Sequence, residues 1–179
     1  MTTLREAGPA DMAGLAALFY RAVQIGAAPA YSRAQRDVWA GKQPTETAWA
    51  ARLDGLLTLL AEQDGAVVGF MSMRMGDGYL DLAFVEPDAR GTGVAAMIYA
   101  ELEERARLAC LKRLFSHASH LAKPFLVGQG WRIIRPNAVE RHGVTLDNWL
   151  MRPTSSNSHC SWKMGKFSQR LPAQLRLQP

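Results

Sequence analysis

Residues 80–95 read Leu80-Asp81-Leu82-Ala83-Phe84-Val85-Glu86-Pro87-Asp88-Ala89-Arg90-Gly91-Thr92-Gly93-Val94-Ala95. Leu80, Leu82 and Phe84 alternate with Asp81, Ala83 and Val85, the two-residue period of a strand. Pro87, with no N–H to give to a ladder, ends it. Beyond the loop, Ala95, Ala96, Ile98, Tyr99, Leu102 and Ala106 recur at helical spacing, with Glu101, Glu103, Glu104 and Arg105 on the opposite side. Between strand and helix lie Arg90 to Ala95. Their two glycines permit a tight turn that aims several N–H groups at one point, ahead of a helix N-terminus. Such a point binds phosphate oxygens.

Outward from this junction, the pattern predicts a short strand at Thr2–Glu6 and a helix opened by Pro9 and Asp11. That helix is lined by Leu15, Leu18, Phe19, Ala22 and Val23. Gly26 to Pro29 interrupts it. Further helical pieces run from Tyr31-Ser32 through Trp39, with Ser32 as N-cap, and from Thr45 through Leu53. Leu56–Glu62 and Ala66–Met75 flank the hairpin signal Gln63-Asp64-Gly65, and Gly76-Asp77-Gly78 turns into the strand at Leu80. After the long helix, Arg113–His117 reads as a strand parallel to Leu80–Val85, because a helix crosses over between them. Ser119–Gln129 reads as a helix kinked by Pro124. A final hairpin joins 132–141 to 144–151 about His142-Gly143. The fold class is therefore α+β with a mixed sheet.

At 179 residues the chain has one-domain length, and its 48% hydrophobic content supports a single core. The net charge of +5 sits in one place. From Thr154 onward there are four basic residues (Lys163, Lys166, Arg170, Arg176) and no acidic one, which leaves 17 basic against 16 acidic in the rest. The basicity thus belongs to a tail, expected to be disordered over 154–179, and not to a nucleic-acid groove. Cys110 and Cys160 are too few for a disulfide framework or a metal set, so no metal is expected. The N-terminus carries Arg5, Glu6 and Asp11 instead of a leader's apolar run, and no stretch reaches membrane-span length. The expected location is cytoplasmic, with no nucleic-acid or membrane partner.

A phosphate loop ending in Gly-Lys-Ser/Thr is absent, and a dinucleotide fingerprint would need glycine where Ala96 stands. What remains, Arg-Gly-x-Gly-x-Ala after Val85-Glu86-Pro87, resembles the pyrophosphate loop of the GCN5-related N-acetyltransferase (GNAT) superfamily. A plain strand–turn–helix junction would tolerate the same two glycines, so the rest of the chain decides. Ser119, Ala122, Phe125 and Gly130-Trp131 resemble the same family's next helix. The wording Ala118-Ser119 with Ala122-Lys123-Pro124-Phe125, the segment Tyr31 to Ala40, and the ending Arg141 to Val144 resemble a bacterial branch of it. The likeness runs over about Thr3 to Arg152.

The resemblance implies a GNAT fold: a mostly antiparallel sheet of six to seven strands with a splayed parallel pair at its centre, flanked by about four helices, over residues 1–153. It implies acetyl-CoA as co-substrate, its arm entering the gap between the splayed strands. Backbone groups of Phe84 and Val85 would hold the arm and the thioester carbonyl. The N–H groups of Arg90, Gly91, Thr92, Gly93, Val94 and Ala95 would hold the pyrophosphate. Ser119 and Lys123 would reach pantetheine or phosphate, with a solvated surface role for Lys123 as the alternative.

Acetyl transfer to an amine needs a neutral nucleophile, yet an alkyl amine of pKa about 10.4 is only about 0.04% neutral at pH 7. Asp81, on the same strand face as Ala83 and Val85, is the candidate to orient the ammonium or relay its proton; the alternative is that it answers a basic neighbour. Many family members place a tyrosine after the aromatic of the second helix as donor to the departing thiolate. Here that position is Leu126, so Tyr31, Tyr79 or His117 would replace it. Tyr31, Gln35 and Trp39, at i, i+4 and i+8, share a helix face that would hold the amine by cation–π contact or pack as an aromatic stripe. The acceptor would be an amine on a small molecule or on a protein or peptide, and assembly as a homodimer is compatible with the sequence. Two rivals follow: an acyl-CoA-binding sensor that has lost turnover, suggested by Leu126, and a nucleic-acid or anionic-surface binder working through the basic tail.

Overall fold

Strand alternation here serves two cores at once. The computed structural model describes residues 1–154. Strands β1 (Thr2–Glu6), β2 (Leu57–Gln63), β3 (Ala66–Arg74) and β4 (Tyr79–Val85) form an antiparallel sheet in that order. Leu60, Phe70 and Leu82 face one side, where α1 (Met12–Arg21), α2 (Arg33–Ala40) and α3 (Glu46–Leu53) bury Leu15, Leu18, Ala40 and Trp49 against them. Leu59, Met71, Met73 and Leu80 face the other, against Ile98, Tyr99 and Leu102 of α4 (Val94–Leu108). With both faces covered, period-2 residues of either parity are apolar.

The chain leaves α1 through a π-helical turn at Ala22–Gly26 instead of breaking, and Ser32 caps α2 by accepting from Gln35 N–H. Ser119 lies just ahead of the next helix, its Oγ accepting from the N–H of that helix's first residue, Ala122, at 3.1 Å, while Leu121 holds the N-cap position. That helix, α5, spans Ala122–Gly128 and not Ser119–Gln129. Pro124 therefore lies in the first turn, where an N–H would lack an intrahelical acceptor, and the expected kink does not arise.

The expected strand at Arg113–His117 is reduced to β5 (Ser116–Ala118), because β7 (Val144–Pro153), far along the chain, sets its pairing. β5, β7 and β6 (Trp131–Arg141) form a second antiparallel sheet, in the order β5-β7-β6. The seven strands thus divide into a sheet of four and a sheet of three, flanked by five α-helices among the described residues. One parallel bridge, Tyr79 with Phe115, fastens the two sheets. There Leu80 N–H donates to Phe115 O at 2.9 Å and Phe115 N–H to Gly78 O at 3.1 Å. Gly78 makes this approach feasible: at φ +79 a Cβ would lie 2.0 Å from Arg113 O. Beyond the bridge, β4 and β5 diverge, as the splayed pair requires. The tail expected to be disordered lies, from residue 155, outside the described residues.

Candidate active site

The divergence leaves a cavity of about 440 Å³ between β4, the π-turn, the glycine loop and α5, with Phe84, Val85, Gly91, Gly93, Ser119 and Phe125 among its walls. Antiparallel pairing decides which backbone groups of β4 face it. Glu86 N–H donates to Val68 O, so the hydrogen-bonded pairs with β3 continue at Phe84–Phe70 and Leu82–Ser72. The N–H and C=O of Ala83 and Val85 therefore point into the gap. Val85 thus has peptide groups free to face the gap, whereas the peptide groups of Phe84, expected to do the same, are committed to β3 and only its side chain is left to line the cavity.

The loop enters α4 through Gly91 at φ +77 and Gly93 at φ +88, and an added Cβ at either would meet no atom within 4 Å. Among the described residues, no hydrogen bond uses the amides of Gly91, Gly93, Val94 or Ala95. Those of Arg90 and Thr92 make only long turn contacts, 3.4 Å to Pro87 O and to Ala89 O. Thr92 Oγ1 also donates to Ala89 O, at 2.7 Å. The unspent amides open a 15-residue helix, whose dipole adds positive potential at the same point. The Arg90 guanidinium donates to Gly26 O and so ties the loop to the π-turn, while Arg21 grips Glu86 with two nitrogens just upstream.

A second cavity, about 450 Å³, adjoins the first, sharing Trp39, Phe84 and Ser119 with it. Tyr31, Asp81 and His117 also line it. Asp81 pairs with Arg52 of α3 at 2.7 Å, so the basic-neighbour alternative holds alongside its place in the wall. His117 Nδ1 lies 3.4 Å from Tyr79 Oη. Burial, with the charge of Arg135, pushes the His117 imidazole below its ordinary value, which leaves it neutral near pH 7. A neutral imidazole suits a proton acceptor better than the donor role expected of it.

Tyr31 lies before the cap of α2 and not on that helix, and its ring meets Trp39 edge-on at 5.1 Å. Its hydroxyl accepts from His120 N–H at 2.9 Å, and burial raises its pKa, so the phenol stays protonated. Gln35 turns away from this wall: it closes the capping box with Ser32 and donates to Thr145 O at 3.0 Å. Lys123 lies over the Trp149 ring, 3.7 Å from its centroid, a cation–π contact instead of a phosphate reach. Leu126 is core, 1% exposed. Sequence reasoning passed over Arg52, on a helix read only for its apolar residues, and the paired amides of Asn137 and Asn148, which no local spacing signals. Among the described residues, no helix is long and apolar enough to cross a membrane, and no cluster of three or more His, Cys, Asp or Glu could hold a metal.

The family model described as "Acetyltransferase (GNAT) domain" matches residues 27–151. The chain is 32% identical over 149 residues to a protein of Escherichia coli strain K12 named "Uncharacterized N-acetyltransferase YafP", covering 83% of this chain and 93% of that one. It is 33% identical to a solved GCN5-related N-acetyltransferase from Rhodopseudomonas palustris, with a TM-score of 0.79 over 86% of this chain and 95% of the other. The YncA acetyltransferase of Salmonella typhimurium, solved with acetyl-CoA, shares the fold at 18% identity, with a TM-score of 0.67 over 90% and 96% of the two chains.

Proposed function

The chain belongs to the GNAT acetyltransferase family, and from that membership we propose that it passes the acetyl group of acetyl-CoA to a primary amine by direct attack within a ternary complex. One observation carries the reading: four unspent amides, of Gly91, Gly93, Val94 and Ala95, lie together at the head of α4 beside a gap that Ala83 and Val85 line with peptide groups not spent on β3. The amides suit the pyrophosphate, the strand edge suits the amide-rich arm, and the open space at both glycines leaves room for phosphate.

The amine nitrogen attacks the thioester carbonyl carbon, the C–S bond breaks, and the ammonium proton leaves through His117. Asp81 and the Tyr31–Trp39 ring pair draw the ammonium into the second cavity. Tyr31 donates a hydrogen bond to the departing sulfur in place of the missing tyrosine at Leu126. A thiol pKa of about 8.5 makes thiolate a fair leaving group, so this weaker donor suffices. Ser119 contributes at the seam of the two cavities, and residues 1–153 form the transferase unit.

The test is thiol release from acetyl-CoA across a panel of primary amines. Amine-dependent release with matching N-acetyl product is expected. Binding of acetyl-CoA with no release above the hydrolysis background would replace this reading with the sensor, the alternative that Leu126's burial favours.

A further inference from the structure

The second cavity carries a polar device that the chemistry above does not use. Asn137 of β6 and Asn148 of β7 are cross-strand partners, and Asn137 Nδ2 donates to Asn148 Oδ1 at 2.8 Å. Both are half-buried and line the cavity. That one bond leaves valences of opposite kind side by side: the Asn148 NH2 as donor and Asn137 Oδ1 as acceptor. An amide group offers the complementary C=O and N–H. The pair also stands on the reaction's side of the sheet. His117 is opposite Leu150, and Asn148 lies two residues from Leu150 on the same face. A diagonal neighbour of this kind is about 7–8 Å away.

The charged groups do not compete for this role. Arg52 is held by Asp81, and Arg141 and Asp147 are exposed at the rim. Away from the Arg52–Asp81 pair, the half-buried polar lining at Asn137 and Asn148 is neutral, in a cavity that also has aromatic walls at Tyr31, Trp39 and Phe84. Resting on the transferase reading, we infer that the acceptor is a primary amine bearing a nearby carboxamide, read by the Asn137–Asn148 pair. An acceptor lacking that amide leaves the two side chains without partners as it displaces water from them, which is where discrimination arises.

The test compares kcat/KM for L-phenylalaninamide, L-phenylalanine and phenethylamine, which differ only at the amide. The amide is expected to lead both others by about tenfold or more. A short peptide headed by phenylalanine then shows whether the carboxamide belongs to a small molecule or a peptide. Asn148→Asp keeps the acceptor for Asn137 and removes the NH2 donor, so the amide-to-amine ratio of kcat/KM is expected to fall about tenfold. Equal rates for the three compounds overturn the inference, as does a lead for phenylalanine, which would hand recognition to Arg141. A ratio unchanged in Asn148→Asp overturns it too. If no amine is acetylated, the transferase reading fails separately, and calorimetry of N-acetylphenylalaninamide against N-acetylphenethylamine decides the subsite. Tenfold selectivity that is lost in Asn148→Asp retains it, and equal binding removes it.

Discussion

At Gly93 the constraint is conformational: φ is +88 and nothing lies within 4 Å of an added Cβ. A β-branched side chain there costs about 1–2 kcal/mol in backbone strain and projects into the space assigned to phosphate. Gly93→Val and Gly91→Val are each expected to raise the acetyl-CoA dissociation constant about tenfold or more, by calorimetry; an unchanged constant would remove the loop from the cofactor site. His117 gives a pH test. Its pKa is lowered, so the neutral form persists below about 6.5, and kcat/KM should fall only as acid takes the solution through that lowered value. Arg135→Ala removes the cation that helps depress it, and the acid limb should move to higher pH, whereas His117→Gln should erase the limb. These glycines were legible in the sequence because a positive φ has a residue signature. Gln35 and Lys123 were not, since their partners, Thr145 and Trp149, are brought near only by the finished fold.

At the level of elements, local period and punctuation located most strands and helices. Gln63-Asp64-Gly65 marked its hairpin, and the alternation of Leu80 to Val85 marked β4. Two features escaped for one physical reason. β5 is cut to three residues where it pairs with β7, and α5 starts only at Ala122, after a turn in which Ser119 Oγ accepts from Ala122 N–H. Neither follows from residues near in sequence. The joint between the sheets is testable at Gly78, where a Cβ would sit 2.0 Å from Arg113 O. Gly78→Ala should lower the melting temperature by several degrees, from a loss of about 1–3 kcal/mol. It should also weaken acetyl-CoA binding, because the gap is framed from that joint. A melting curve identical to wild type would show the joint to be dispensable.

Over the whole molecule, the division of charge was legible: 17 basic against 16 acidic residues outside the segment from Thr154. Truncation after Thr154 is therefore expected to leave kcat/KM for acetyl transfer within about twofold of the full chain, since every residue assigned here to the candidate site precedes Thr154. A collapse in rate would assign the segment a part in catalysis. The separation into two sheets was not legible, because it depends on where a single bridge stops. That bridge has an engineering consequence. With one backbone bridge between the two sheets, the β6–β7 hairpin is otherwise anchored by Trp131 on Tyr99, Lys123 on Trp149 and Gln35 on Thr145 O. Exchanging the hairpin's outer part with those three anchors kept is therefore the expected way to rewrite acceptor choice without disturbing the proposed donor berth.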